Sequence, residues 1–447
     1  MAGQQKLAVV ALIAALASAL GVGLVLAVVL PSAAALSAPW GLRWRALAQV
    51  HGHVMVVGWV GFFIIGMATR LLPRFSSTPL RFPRCVPAAF ALIAAALMLR
   101  SLAQPLADAA IARDLLPLSG ALEVAGTSLF ALSALATLRH PLGERRPFAW
   151  FLAAGAGWFV AQALLTTWAL ARVVQAGEMV IAGADNAPIL QAQFFGFLLC
   201  FIFGISLRSL PTFYAWKPPA WLPWAAWTLL QLGVVAVTIA ALLTAVGTNS
   251  HLAGDIGRLV LALALLAAAG CMGVWRPASR MRGGLRSLAL LLGAAYGWLA
   301  VAALVLIAGA SYGLAHSGPA PGYFDDATRH ILALGVISTM VVGMAYLVAP
   351  MFAQERTEGA PLSRRVRAYA GLLGAAALLR AGGALLEGVG VFTGLHWPMA
   401  VAGVLALAAV ALFARRLIYG LRHPYVPIIP SREIGASPPP SQRTPQD

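Results

Sequence analysis

Two histidines hold matching places in a chain that contains only eight. His53 lies five residues before Gly58 in the run "HGHVMVVGWVGFFIIGMATRLLPRF", and His330 lies five before Gly335 in "HILALGVISTMVVGMAYLVAPMF". In a third, related run the same place is held by Gln191. Polar side chains inside apolar stretches are costly, and those that persist there are usually functional. Imidazoles from two separate segments can approach a flat macrocycle from opposite faces, which is what the two axial positions of a haem iron require. His53 and His330 are therefore the primary candidate ligands, both for a haem and for its metal. His51 is about 200° around an α-helix from His53 and cannot address the same metal from a regular helix. It is a candidate for a second haem, for copper or for a propionate, or it faces water. Arg329, next to His330, is a candidate partner for a haem propionate through charge-assisted bonds, with Asp325 and Asp326 as nearer rivals for its charge.

Other polar residues in apolar surroundings carry weaker signals. Glu123 has no charged neighbour in sequence and is read either as a proton relay or as one end of a polar contact. Arg380 and Glu387 are seven residues apart and could form an internal pair. Met55 reads as packing, the usual role of methionine in an apolar helix. His140, His251, His316, His396 and His423 fall in loops or at helix ends and read as solvated. Cys85, Cys200 and Cys271 show no CxxC spacing, so a disulfide framework or thiolate metal site is not expected. No residue stands out as catalytic.

The elements that must position these groups are transmembrane. Of the 447 residues, 61% are hydrophobic and 10% charged, where a soluble protein carries about 25% charged residues. The 44 glycines suit close helix packing in lipid. Spans are expected at about 7–30, 46–72, 84–104, 115–138, 148–174, 188–211, 221–246, 255–276, 285–313, 327–350, 366–390 and 397–418, each near the ~20 residues that cross a bilayer. The first of these resembles a signal peptide but is long enough to span, and it is read as the first helix. A net charge of +17 does not mark a nucleic-acid partner, because the arginines alternate between loops. Arg74, Arg81 and Arg84 follow the second helix, Arg139, Arg145 and Arg146 the fourth, Arg276, Arg280, Arg282 and Arg286 the eighth, and Arg356, Arg364, Arg365 and Arg367 the tenth. The positive-inside rule then places both termini in the cytoplasm. The Pro- and Ser-rich stretch 424–447 is expected to be a disordered cytoplasmic tail.

Three segments share the pattern G-x7-G-x6-P-x-F. Gly58, Gly196 and Gly335 are spaced by 138 and then 139 residues. Gly66, Gly204 and Gly343, then Pro73, Pro211 and Pro350, then Phe75, Phe213 and Phe352, keep the same two spacings. The pattern falls on the second, sixth and tenth helices. A single domain over 1–423 is thus expected to contain three four-helix repeats, at about 1–140, 141–283 and 284–423. An even number of helices per repeat makes the copies parallel and related by rotation about the membrane normal. The glycines and prolines are read as architecture: close packing and helix termination.

An all-α, twelve-helix, pseudo-threefold chain with histidines on its second and tenth helices resembles subunit I of the haem–copper oxidase superfamily. In that superfamily one histidine from each of those helices holds the low-spin haem, and His53 and His330 match them. The chain resembles the NnrS family more closely. His51, His53 and Met55 match its "HxHxM" run, and His330, Leu332, Gly335, Thr339 and Met340 match its "HxLxxGxxxTM" run. The resemblance implies a multi-pass protein of the bacterial inner membrane that binds haem, b-type, with copper as a second candidate. It also implies a redox partner and a role in the nitric oxide response or in electron transfer. Gln191 and Gln193 stand on the sixth helix where an oxidase has a copper-ligating histidine, and Thr328 stands where a second haem ligand would be. The resemblance therefore implies an incomplete binuclear oxygen-reducing centre. A haem-free transporter is the alternative, since repeated four-helix units, internal glycines and a buried Glu123 would serve a carrier equally well. A non-catalytic assembly subunit is a third reading.

Overall fold

Lipid offers the backbone no hydrogen-bond partners, so a chain this apolar must satisfy its peptide groups within helices. A computed structural model of the protein describes residues 2–281, 286–353 and 360–422. His423, Arg282, Arg356 and the 424–447 stretch lie outside the described residues. Twelve helices are long and apolar enough to cross a membrane. They are α1 (Lys6–Ala35), α2 (Leu42–Ser76), α3 (Cys85–Leu106), α4 (Ala110–Gly143), α5 (Pro147–Ala176), α6 (Gly183–Phe213), α7 (Trp221–Ala245), α8 (His251–Met272), α9 (Leu288–His316), α10 (Gly322–Tyr346), α11 (Leu362–Gly388) and α12 (His396–Tyr419). Every boundary falls within five residues of the one expected from hydropathy.

Burial divides the helices into two groups. Along their most apolar stretches α2, α6 and α10 are 89%, 78% and 72% buried, against 33–50% for the other nine. The three helices that carry the shared glycine pattern are thus the interior ones. Around them α3 packs on α4, α4 on α5, α7 on α8, α8 on α9 and α11 on α12. The first and last of the twelve helices lie side by side, because α12 packs on α1. A β-carbon at Gly403 would press on the Ala27 backbone, so this contact depends on a residue without one.

The pattern glycines act in the same way. A β-carbon at Gly196 would lie 2.5 Å from Cγ of Trp158 on α5, and one at Gly335 would lie 2.5 Å from Cγ of Trp298 on α9. At Gly58 it would lie 2.8 Å from Cβ of Ser18 on α1. Each first glycine therefore receives a side chain from the helix preceding its own. The prolines also behave alike. Pro73 and Pro211 lie in the last turn of their helices, which end at Ser76 and Phe213. The helix through Pro350 is described as far as Ala353. A proline removes a bond to the turn before it, so two or three helical residues can follow before the chain leaves.

A second shared feature had no counterpart in the sequence reading. All three interior helices widen into π-helical turns, at Val54–Gly61, Ala192–Leu198 and Ile331–Ser338. These begin immediately after His53, Gln191 and His330. In α10 the displaced carbonyls are met by hydroxyls: Ser338 Oγ donates to Ala333 O at 2.8 Å and Thr339 Oγ1 to Leu334 O at 3.2 Å. Both bonds reach back five residues, the spacing of a π turn.

Overpacking a tight core contact costs about 1–3 kcal/mol. Gly335→Leu and Gly196→Leu are accordingly expected to lower the thermal midpoint of the detergent-solubilised protein. Gly293→Leu, at a position with nothing within 4 Å of a β-carbon, should leave it nearly unchanged. Equal effects at all three positions would contradict this packing scheme.

Candidate cofactor site

A cavity of about 470 Å³ opens among α1, α2, α6, α10, α11 and α12, within the ~300–1,000 Å³ typical of ligand pockets. His51, His53, His330 and Arg329 all line it. The expected site residues are therefore brought to one place from two ends of the chain. They reach it because α2 and α10 are interior helices whose N-terminal halves line the same void.

The imidazoles are held differently. His51 Nδ1 lies 2.7 Å from the Gly23 carbonyl oxygen on α1. His330 Nδ1 lies 2.8 Å from the Asp326 carbonyl oxygen, one turn earlier on α10, and 3.3 Å from Asp326 Oδ1. A carbonyl oxygen only accepts, so in each ring Nδ1 must carry the proton. Each Nε2 is then left with its lone pair available for a ligand, the arrangement found at most metal-bound histidines. His53 is turned elsewhere. Its Nε2 lies 3.0 Å from Glu123 Oε2 on α4, with both side chains buried. The contact is too poorly directed to satisfy that nitrogen as a hydrogen bond. The π turns that follow these rings mean that the spacing of a regular helix alone does not decide which of them meet.

Glu123 belongs to a buried polar chain. Gln162 Nε2 on α5 donates to Glu123 Oε1 at 2.8 Å, and Gln193 Nε2 on α6 donates to Gln162 Oε1 at 2.9 Å. The chain joins α2, α4, α5 and α6 through the apolar interior. Glu123 is thus one end of a polar contact, as one of its two readings had it. A second chain runs below the cavity wall. Arg100 Nε donates to Gln104 Oε1 at 3.0 Å, Gln104 to Gln49 Oε1 at 2.7 Å, and Gln49 to Ile181 O at 2.7 Å. Arg100 is 3% exposed and lines the cavity, and its Nη1 is buried with no acceptor.

The N-terminal end of α10 is an ionic junction. Arg380 of α11 donates twice to the Asp326 carboxylate, at 2.8 and 3.3 Å, and Arg329 approaches it at 3.5 Å. Asp325 takes two bonds from Arg258 of α8, at 3.2 and 3.0 Å. The expected Arg380–Glu387 pair is therefore corrected to Arg380–Asp326. Two helical turns separate residues seven apart by about 10 Å, whereas Asp326 faces Arg380 across a helix contact. Glu387, His396 and Met399 lie on the cavity wall instead, so His396 is not simply a surface residue. His140, His251 and His316 are exposed or engaged locally, with Glu144, Asn249 and Tyr312 respectively.

Among the described residues no three His, Cys, Asp or Glu side chains converge on one metal-sized point. A bare tetrahedral ion needs about four such donors. Two imidazoles with free Nε2 atoms suit a metal that brings its own equatorial ligands. The sequence signalled the histidines and Glu123, and Gln193 for its place on the sixth helix, but missed Arg100 and Gln162. A lone arginine near the end of the third apolar run was the one available hint of the Arg100 site.

The fold is also that of a known structure. A solved dimer of a haem–copper terminal oxidase matches 93% of this chain and 85% of its own, with a TM-score of 0.67 and 14% identity. At that identity the likeness establishes the architecture alone: a twelve-helix membrane protein with an oxidase-like fold. Comparison with protein-family models and with curated proteins found no match.

Removing the Glu123 carboxylate should leave Gln162 and His53 facing an apolar gap. Glu123→Leu is expected to cost about 1–3 kcal/mol through the unmet donor, read as a lowered thermal midpoint. Glu123→Gln keeps an acceptor and should cost less. If leucine were as well tolerated as glutamine, the buried chain would have no structural weight.

Proposed function

We propose that the protein binds a haem in the cavity between α2 and α10, with His51 and His330 as the two axial ligands. The observation that carries this reading is the matched state of the two rings. Each donates Nδ1–H to a backbone carbonyl oxygen and keeps Nε2 free, and both line one cavity. The pairing expected from sequence matched His330 with His53. His51 is preferred here because the Nε2 of His53 already faces Glu123.

The remaining walls suit the group. Arg100 supplies a buried cation with an unmet N–H, and Arg329 supplies a second, partly shared with Asp326. Either would hold a negatively charged propionate through charge-assisted bonds. Trp44, Trp59 and the aliphatic side chains of α1 and α12 supply an apolar lining that keeps water from the macrocycle. Bound there, haem would supply a one-electron couple. Two histidine ligands would fill both axial positions, which favours electron transfer to or from a redox partner over chemistry on a small gas. The copper and nitric oxide roles implied by the resemblance to NnrS are the finer alternatives, with His53 and Met55 as nearby candidate donors. The arginine-rich loops favour a bacterial inner-membrane location with both termini in the cytoplasm.

An optical spectrum tests the proposal. Protein purified in detergent from haem-replete cells should show a Soret band and the sharp bands of a six-coordinate b-type haem on reduction. His51→Ala and His330→Ala should each lose most of the band, while His53→Ala should retain it. A colourless wild-type protein would overturn haem binding and leave the transporter reading. Loss of the band in His53→Ala but not in His51→Ala would restore the pairing expected from sequence.

A further inference from the structure

A second cavity, of about 710 Å³, lies between the far ends of α11 and α12. It lies at the membrane face where the arginine-rich loops gather, opposite the histidine cavity. Three arginines line it, Arg365 of α11 and Arg415 and Arg416 of α12, and among the described residues that line it there is no carboxylate. Arg415 is exposed and the other two are half-buried. Arg416 lies over the Tyr419 ring, 5.1 Å from its centroid, which limits the orientations of its guanidinium.

The charges occupy only one level of the groove. α11 and α12 run in opposite directions. Ala368, three residues after Arg365, and Leu412, three before Arg415, therefore both lie about 4.5 Å nearer the bilayer centre. Both line the groove and both are exposed, Leu412 by 46%. The groove thus places cations at the headgroup level and an open apolar wall beneath them. A free phosphate would use the first and have no use for the second. Basic pockets between transmembrane helices on the cytoplasmic side suit anionic headgroups, and tyrosine at the interface suits the boundary between headgroup and chain.

We infer that this groove is a binding site for an anionic phospholipid. Its phosphate is held by Arg365, Arg415 and Arg416, and an acyl chain lies along Ala368 and Leu412. Bound there, the lipid bridges the last two helices. The inference stands independently of haem binding.

The test is made on the full chain in detergent, delipidated and then given one of three additives: phosphatidylglycerol, phosphatidylcholine or inorganic phosphate. Native mass spectrometry reads occupancy, and the thermal midpoint reads stabilisation. Phosphatidylglycerol alone should bind stoichiometrically and raise the midpoint. Arg365→Gln/Arg415→Gln should bind it about 30-fold more weakly, as expected for two basic side chains at a lipid surface. Leu412→Trp keeps every charge and fills the apolar wall, so it should also lose the lipid while remaining folded. Equal stabilisation by inorganic phosphate would make this a free-anion site, and equal binding of phosphatidylcholine would make it an unselective apolar groove. Unchanged phosphatidylglycerol binding in both variants would remove the site altogether. Each of these three results overturns the inference.

Discussion

The Nδ1 proton of His330 is donated to the backbone carbonyl oxygen of Asp326, and the side-chain carboxylate of the same residue receives Arg380 from the neighbouring helix. One residue therefore sets the direction of the imidazole and ties α10 to α11. The Asp326 carboxylate also lies 3.3 Å from the ring Nδ1, so both acceptors that hold this imidazole come from one residue a turn earlier. His51 is held in the same way through Gly23, with the carbonyl supplied by α1. Both rings line the cavity with Nδ1 already engaged.

Packing delivers these rings to a shared void. Glycines at matched positions let Trp158 and Trp298 press against α6 and α10, which holds those helices inside a surround of outer ones. π-helical turns then begin at the level of the histidines. A π turn carries an extra residue per turn and leaves carbonyls offset from their usual donors. Ser338 and Thr339 reach back to cover those of α10, so the wider turn can persist in an apolar interior. The irregularity and the polar residues that stabilise it are parts of one arrangement.

Much of this was legible from sequence, for a physical reason. Lipid forces each crossing to be a continuous apolar run, so the twelve helices and their boundaries follow from composition alone. The repeated glycines and prolines were equally visible because their role is steric and local to one helix. What could not be read were contacts between helices far apart in sequence. Spacing placed His51 and His53 on different sides of α2 but held no information about which side Glu123 would occupy. The partner of Arg380 was misjudged because Glu387 is near in sequence, while Asp326 is near only in space. Arg100, Gln162 and Gln193 carry no motif; their importance comes from meeting one another inside the bundle.

Charge around the cavity bears on what a bound cofactor would do there. Asp326 already draws on Arg329 and Arg380, so one carboxylate is divided between these two cations. Arg100 is different. Its Nε is bound to a neutral glutamine and its Nη1 to nothing, and charges buried away from water are screened weakly. Its positive field would favour whichever state of the cofactor carries one more electron, and the Glu123 carboxylate, which also lies against His53, tempers that field. In the proposed reading, the potential of the haem would be set less by the two imidazoles, which are alike, than by the balance between Arg100 and Glu123. Neither residue is a ligand, and both lie on outer helices that the shared histidine pattern does not touch. The ligands would make the site a haem site, and these two side chains would determine how readily it is reduced.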